Sequence, residues 1–422
     1  MMPTSGRALD GVRVLDFTDP KGQYMGRLLS TLGADVIKIE APGGDSGRRI
    51  GPFAQDRPDP NGSLFWWYNN VGKRSLAIDV ARMDGAAIVR RLSTSAQVVL
   101  ESFDPGVMRT LGLDYASLCE ARGGEDLVMT SLTPFGQDGP RAGWAWSDAV
   151  GLALGGPMSS CGYDTIPGSP PIRPTEHHSF QIGGHYGAMG TLLALLHAEL
   201  TGAGQYVDVS IHEACACTTE VAVPYALLRE GSLLRQTGRH AAAQATEPWQ
   251  YPALDGVRVL LYGLARNDRD WLRLVDWVDE QGHVGSLRDP ELRDPRKRQL
   301  GSGHEVTSRM LEDLATLAAS LPGEAVYRGG QEHGAAWGVI RSPDDNLADP
   351  HWADRGFFVR ADHGGAVGDV TYPGAPFQMS ATPWAMERRA PLLGEHTSTI
   401  LREELDLASA DLAALCGAGV IA

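Results

Sequence analysis

Glu176, His177, His178 and His185 form the densest titratable group in the chain, within the stretch PIRPTEHHSFQIGGHYGAMGTLLALLHAELTGAGQYVDVS that runs from Pro171 to Ser210. A carboxylate beside imidazoles suits acid–base work; the alternative reading is a titratable surface run. Metal binding would need a third and fourth ligand at suitable spacing, which this pattern does not supply. A second carboxylate, Asp148, stands between GWAWSD and the apolar AVGLALGG. Burial there would raise its pKa and fit it for a nucleophile or base. Capping of the helix that follows is the other reading. The third constellation is cationic: Lys38, Arg48, Arg49, Lys73 and Arg74. Such a cluster suits phosphate or carboxylate, Arg by bidentate pairing and Lys as a point charge. Solvated surface charge paired with nearby acids is the alternative. Phe65, Trp66, Trp67 and Tyr68 beside it would stack a purine or form a half-buried wall.

The elements that must carry these groups can be read from periodicity. GVRVLDFT (11–18) reads as a buried strand, Gln23–Leu32 as a helix ended by Gly33, and DVIKIE (35–40) as a second strand. This βαβ unit predicts a parallel sheet. The loop after the first strand lacks G-x-G-x-x-G, so an ordinary dinucleotide site is not expected. Residues 41–63 form a long Gly/Pro/Asp/Ser loop, which in a compact domain is usually functional. A strand at 75–80, a helix at 84–95 and strands at 97–101 and 127–132 extend the sheet. TPFGQDGP (133–140) then lies where ligands of open α/β sheets bind, at a strand's carboxyl end. In the stretch that opened this section, Ile182, Tyr186, Met189, Leu193, Leu196 and Leu200 fall at helical spacing, which predicts a buried face. Gly183, Gly184, Gly187 and Gly190 cost that helix stability, so a ligand, another helix or a second chain is expected close to them. Residues 212–229 read as a helix leading out of the first domain. A second pattern begins at Gly256 with GVRVLLYG and a helix holding Trp271, Leu274 and Val278. AAWGVIR, a short helix ended by Gly356 and a last helix near 398–406 complete the chain.

The totals bound the function. With 422 residues, two domains are expected. A net charge of −15 argues against a nucleic-acid partner. No run of about eighteen apolar residues predicts a membrane span, and no signal peptide opens the sequence. Five widely spaced cysteines suit a reducing, cytoplasmic setting; Cys215 and Cys217, beside His212, read as apolar core positions.

Eight segments in order, LDGVRVLDFT, LGADVIKIEAPGGDSGRRIGP, NNVGKRSLAIDV, VVLESFDPGVMRTLGLDY, SLTPFGQDGP, LTGAGQYVDVSIHEA, LADPHWADRGFF and LLGEHT, make the chain resemble the class III CoA-transferase family, which includes formyl-CoA transferase, carnitine CoA-transferase and α-methylacyl-CoA racemase. The resemblance implies an α/β fold with a large Rossmann-like domain built from both termini (1–215 and 345–422), a smaller α/β domain between them (225–330), and two chains interlocked like rings. It implies coenzyme A as the acyl-CoA substrate, with a free carboxylic acid as its counterpart and no metal. Its CoA contacts would fall on Lys38, Ala41, Arg48, Asn70, Lys73, Arg74, Ser102, Phe103 and Arg109, with Phe135 beside the pantetheine.

In the transferases the resemblance points to, an aspartate ten residues before the G-[TI]-L-L-A opening attacks the donor thioester. Counting back from Gly190 gives Phe180, and no aspartate occurs between Asp164 and Asp208. Glu176 is the nearest carboxylate. The racemase pattern, a histidine directly before an aspartate, is Ser147 before Asp148 here. Three readings follow: a transferase working through Glu176 with His177 or His178 assisting, a silent subunit paired with an aspartate-bearing paralogue in a heterodimer or heterotetramer, and a CoA-ester-binding protein without turnover. A racemase is the further alternative.

Overall fold

The computed structural model describes residues 6–174, 177–219, 222–229, 231, 233–239, 241–262, 264, 267–299 and 303–422. In chain order it opens with β1 (Arg13–Asp16), α1 (Gln23–Thr31), β2 (Asp35–Glu40), α2 (Leu64–Asn70), β3 (Arg74–Ala77), α3 (Met83–Ser93) and β4 (Val98–Glu101). Next come α4 (Val107–Thr110), α5 (Tyr115–Arg122), β5 (Val128–Thr133), α6 (Asp148–Leu154), α7 (His178–Thr201), β6 (Tyr206–Ser210) and α8 (Ile211–Cys217). After α9 (Ala222–Arg229), β7 (Gln250–Pro252) and β8 (Arg258–Leu260) lie α10 (Asp268–Glu280), α11 (Glu305–Ser320), α12 (Gly323–Glu332) and β9 (Gly338–Val339). The chain ends with α13 (Pro350–Asp354), β10 (Phe358–Asp362), β11 (Asp369–Pro373), α14 (Thr397–Leu405) and α15 (Ser409–Gly417).

Two compact units emerge. The larger comprises residues 1–156, 174–218 and 350–422, the smaller 157–173 and 219–349. The larger holds a parallel six-stranded sheet in the order β3-β2-β1-β4-β5-β6. Strands β2 and β4 are buried on both faces and run largely apolar, whereas the edge strand β6 alternates between exposed and half-buried residues. The carboxyl-terminal part belongs to the same core: Ile400, Leu401, Leu405 and Ile421 pack with Leu15, Ile37, Leu76 and Val99. The smaller unit has an antiparallel β7-β8-β9 sheet and a core around Trp271, Leu274, Val278, Met310, Leu314 and Trp337. Among the described residues no helix is long and apolar enough to cross a membrane.

The aromatic run at 64–70, to which the sequence reading gave no secondary structure, is a helix, α2, with Ser63 capping Trp66 N and with Trp66 and Trp67 buried. Two expectations change. The helix expected over 212–229 is two, because α8 stops at Cys217 and α9 begins at Ala222. The second change matters most for the site. The apolar spacing on α7 does not mark its buried face: Met189, Leu193, Leu196 and Leu200 are 51%, 68%, 53% and 77% exposed. Ser179, Gly183, Gly184, Gly187, Ala188, Thr191, Ala194 and Leu195 are the residues it buries. Small residues win this face because α1, β5 and α8 approach it closely. A Cβ on Gly187 would stand 2.5 Å from Met25 Sδ, and one on Gly183 would stand 2.9 Å from Ile211 Cγ1.

Candidate active site

The start of α7 is held from a neighbouring helix rather than by its own cap. His177 occupies the N-cap in a left-handed conformation (φ 66°) and makes no side-chain cap bond. Ser179 instead donates its backbone N–H (2.9 Å) and its hydroxyl (2.7 Å) to Asp148 Oδ1. Asp148 is the first residue of α6, whose own N-cap is Ser147, accepting from Val150 N. The sequence offered Asp148 as base or as cap of the following helix; its Oδ1 satisfies a first-turn N–H of α7, that of Ser179, while Ser147 caps α6. A carboxylate there also opposes the positive end of the helix dipole.

Directly after Ser179, the Phe180 ring stacks on Trp146 (centroids 5.4 Å, planes 25° apart) and lies 5.1 Å from the His177 ring. His177 meets Phe65 edge-on at 4.7 Å. Phe65, His177 and Phe180 line a cleft of about 210 Å³ together with Pro52, Tyr68, Asn69 and Gln181. Among the described residues no carboxylate lines it. His177 Nδ1 and Trp146 Nε1 are buried without a hydrogen-bond partner. The cleft is large enough for a small group, and its described lining is aromatic and amide rather than acidic. Glu176, the expected substitute, lies outside the described residues. His178 is exposed, and the exposed His185 contacts Gln181 O at 2.9 Å.

The expected CoA contacts divide into two groups. Lys38, Arg48, Asn70, Lys73 and Ser102 are buried and already bonded. Lys73 Nζ donates to Asp16 Oδ2 (2.7 Å), Gln23 O (2.8 Å) and Asn70 Oδ1 (2.9 Å). Burial pulls its ammonium down to about 8, with Asp16 opposing. Lys38 Nζ binds Thr18 O (2.7 Å) and pairs with Asp45 (3.3 Å). Arg48 forms a fork on Glu40 (2.7 and 2.8 Å) and stacks on Trp66 at 3.7 Å. Ser102 Oγ donates to Asp19 Oδ1 and accepts from Asp19 N, both at 2.8 Å, across the carboxyl ends of β1 and β4. Arg74 is partly buried against Asp35 and Glu404. Arg49 is exposed, whereas Lys38, Arg48, Lys73 and Arg74 are counter-ions to Asp16, Asp35, Glu40 and Asp45, which β1, β2 and the turn after β2 bring beside them.

The second group faces outward. Ala41 and Arg109 are exposed, whereas Phe103 and Phe135 are half-buried. Phe135 lies against Trp144 (6.4 Å) and His212 (5.7 Å). Arg109 borders a larger cavity of about 690 Å³, together with Glu101, Asp104, Asp114 and Asp138. Burial raises the Glu101 carboxyl to about 7, although Ser131 and the Phe103 N–H oppose it. Sequence reasoning missed Asp16, Glu101 and the Trp146–Phe180 stack as a unit. Asp16 carries a signal in hindsight, an acid closing an apolar strand, but its partner Lys73 is 57 positions away.

The family described as CoA-transferase family III matches residues 9–397. Succinyl-CoA:(R)-benzylsuccinate CoA-transferase subunit BbsE of Thauera aromatica is 34% identical over 400 residues, 94% of each chain. The alpha subunit of succinyl-CoA–L-malate CoA-transferase of Chloroflexus aurantiacus is 30% identical over 411 residues, 96% of this chain and 90% of that one. A crystal structure of a CaiB/BaiF family protein from Brucella suis is similar with a TM-score of 0.77 at 25% identity, covering 95% of this chain and 100% of that one.

Proposed function

Since the chain belongs to CoA-transferase family III, we propose that it is the subunit without the nucleophile in a heteromeric transferase that moves CoA from succinyl-CoA to another carboxylic acid. The observation that carries this reading is Phe180, packed between Trp146 and His177 at the position where the family's aspartate is expected. In the family reaction a carboxylate attacks the donor thioester carbonyl, expels CoA thiolate and forms a mixed anhydride. The thiolate then attacks the enzyme acyl carbonyl and releases succinate, and the acceptor acid reverses the sequence. A phenyl ring has no lone pair for the first step.

Two further features support a paired chain. Lys38, Arg48 and Lys73 spend their charge on internal carboxylates, which leaves Ala41, Phe103, Arg109 and Phe135 as the outward CoA contacts proposed for this subunit. The exposed apolar stripe of α7 supplies a surface for a second chain, the interlocked partner expected from the family. Relatives named as alpha and beta subunits of succinyl-CoA–L-malate CoA-transferase motivate both the heteromer and the donor. The racemase alternative lacks its base, since Ser147 caps α6.

The test is exchange of labelled succinate into succinyl-CoA by the purified chain, alone and after co-expression with a paralogue bearing aspartate at the Phe180 position. No exchange alone and turnover by the pair are expected. Turnover by the chain alone, lost in Glu176→Gln, would overturn the proposal in favour of a Glu176 nucleophile.

A further inference from the structure

Four cations are buried among the described residues of the larger unit, and three of them have a carboxylate partner: Lys38 with Asp45, Arg48 with Glu40 and Lys73 with Asp16. The fourth, Arg27 on α1, has none, although it is only 5% exposed. Its Nη2 donates to Pro373 O at 3.1 Å, and its guanidinium carbon lies 3.8 Å from the Tyr68 ring centre. Its Nη1 is buried with no hydrogen-bond partner. Taking a guanidinium out of water without an anion is costly, and contact with the Tyr68 and Tyr24 rings, the latter at 5.6 Å, recovers only part of that cost. The other three buried cations of the unit are paired with carboxylates, so this exception calls for an anion from outside the chain.

Arg27 lines a cavity of about 390 Å³ between α1, α7 and the segment after β11. Tyr24, Leu28, Met189, Phe377 and Trp384 make most of its surface apolar, and no acidic side chain lines it. Burial pushes the Tyr24 phenol up to about 12, so that group is neutral at physiological pH. An apolar cavity of this size with one oriented charge is the form of a small-molecule site.

We propose that this cavity binds a free carboxylic acid with an aromatic or branched apolar tail, its carboxylate paired with Arg27 and its tail against Leu28, Met189 and Trp384. Tyr68 lines both this cavity and the cleft beside Phe180, so the bound acid sits one side chain away from the transfer site. The inference does not rest on the transferase reading, because binding is measured on this chain without turnover.

Isothermal titration of the purified full chain with 3-phenylpropionate, and with its neutral amide as control, tests it. The acid is expected to saturate at least tenfold more tightly than the amide. Arg27→Gln should bring the acid down to the level of the amide. Because Arg27 is buried and that variant risks misfolding, Met189→Trp at a half-exposed wall position provides the second test, expected to weaken both probes at least tenfold. Equal binding of acid and amide, no saturable binding of the acid, or undiminished binding by Met189→Trp overturns the proposal. So does binding seen only after the oligomer is split by Leu193→Glu, which would show that a second chain fills the cavity.

Discussion

Phe180 and Asp148 give the start of α7 an aromatic neighbour and a carboxylate anchor, and under the proposed function Phe180 stands in for the family's aspartate. Asp148 still satisfies two donors of Ser179, and Phe180 fills the space beside Trp146 with a ring rather than a charge. Another carboxylate, Glu101, sits at the end of β4 under the larger cavity, accepting from Phe103 N at 2.8 Å and from Gln137 Nε2 at 3.3 Å. Burial lifts its pKa from 4.5 to about 7, so between these values the folded protein holds a proton that the unfolded chain has released. Stability from this group is therefore full below about pH 4.5 and is lost as pH rises to about 7. Glu101→Gln removes the titration while keeping an oxygen for Phe103 N. Its stability relative to wild type should improve by roughly 3 kcal/mol between pH 4.5 and pH 8 in urea unfolding. A difference that does not change with pH would refute the assignment.

At the scale of elements, α7 is the pivot, with small residues facing α1, β5 and α8 and large apolar ones facing outward. Its glycines are spacers, and their helix penalty is the cost of letting Met25 and Ile211 approach. Gly187→Ala should gain about 1 kcal/mol of helix propensity but lose more by overpacking against Met25 Sδ, for a net destabilisation of about 1–2 kcal/mol. Adding Met25→Ala, which vacates that space, should make the effect of Gly187→Ala smaller or reverse it. Denaturant midpoints of the four proteins in this cycle decide the point, and additive losses would exclude a steric origin.

For the whole molecule, the open question is what covers the outward face of α7. Leu193, Leu196 and Leu200 form a stripe too exposed and too apolar to be left in water without reason. If it is the proposed subunit interface, Leu193→Glu with Leu196→Glu should halve the mass measured by light scattering and leave the circular dichroism spectrum intact. An unchanged mass would place the interface elsewhere. The same variant separates loss of assembly from loss of transfer, since an Asp-bearing partner mixed with it should regain no turnover.

The sequence by itself determined the order of α/β elements, the parallel sheet and the family, because βαβ periodicity and eight ordered segments are local signals. It also determined that Phe180 stands where a carboxylate is expected, which requires only counting. Tertiary structure decided which charges are free. Lys73 and Asp16, Arg74 and Glu404, or Arg27 and Pro373 are tens to hundreds of positions apart, and no linear spacing shows that they meet. It also reversed the reading of α7. Period alone finds a face of large apolar residues, but close approach of neighbouring elements rewards small ones, so the glycine side was buried and the leucine side was left exposed.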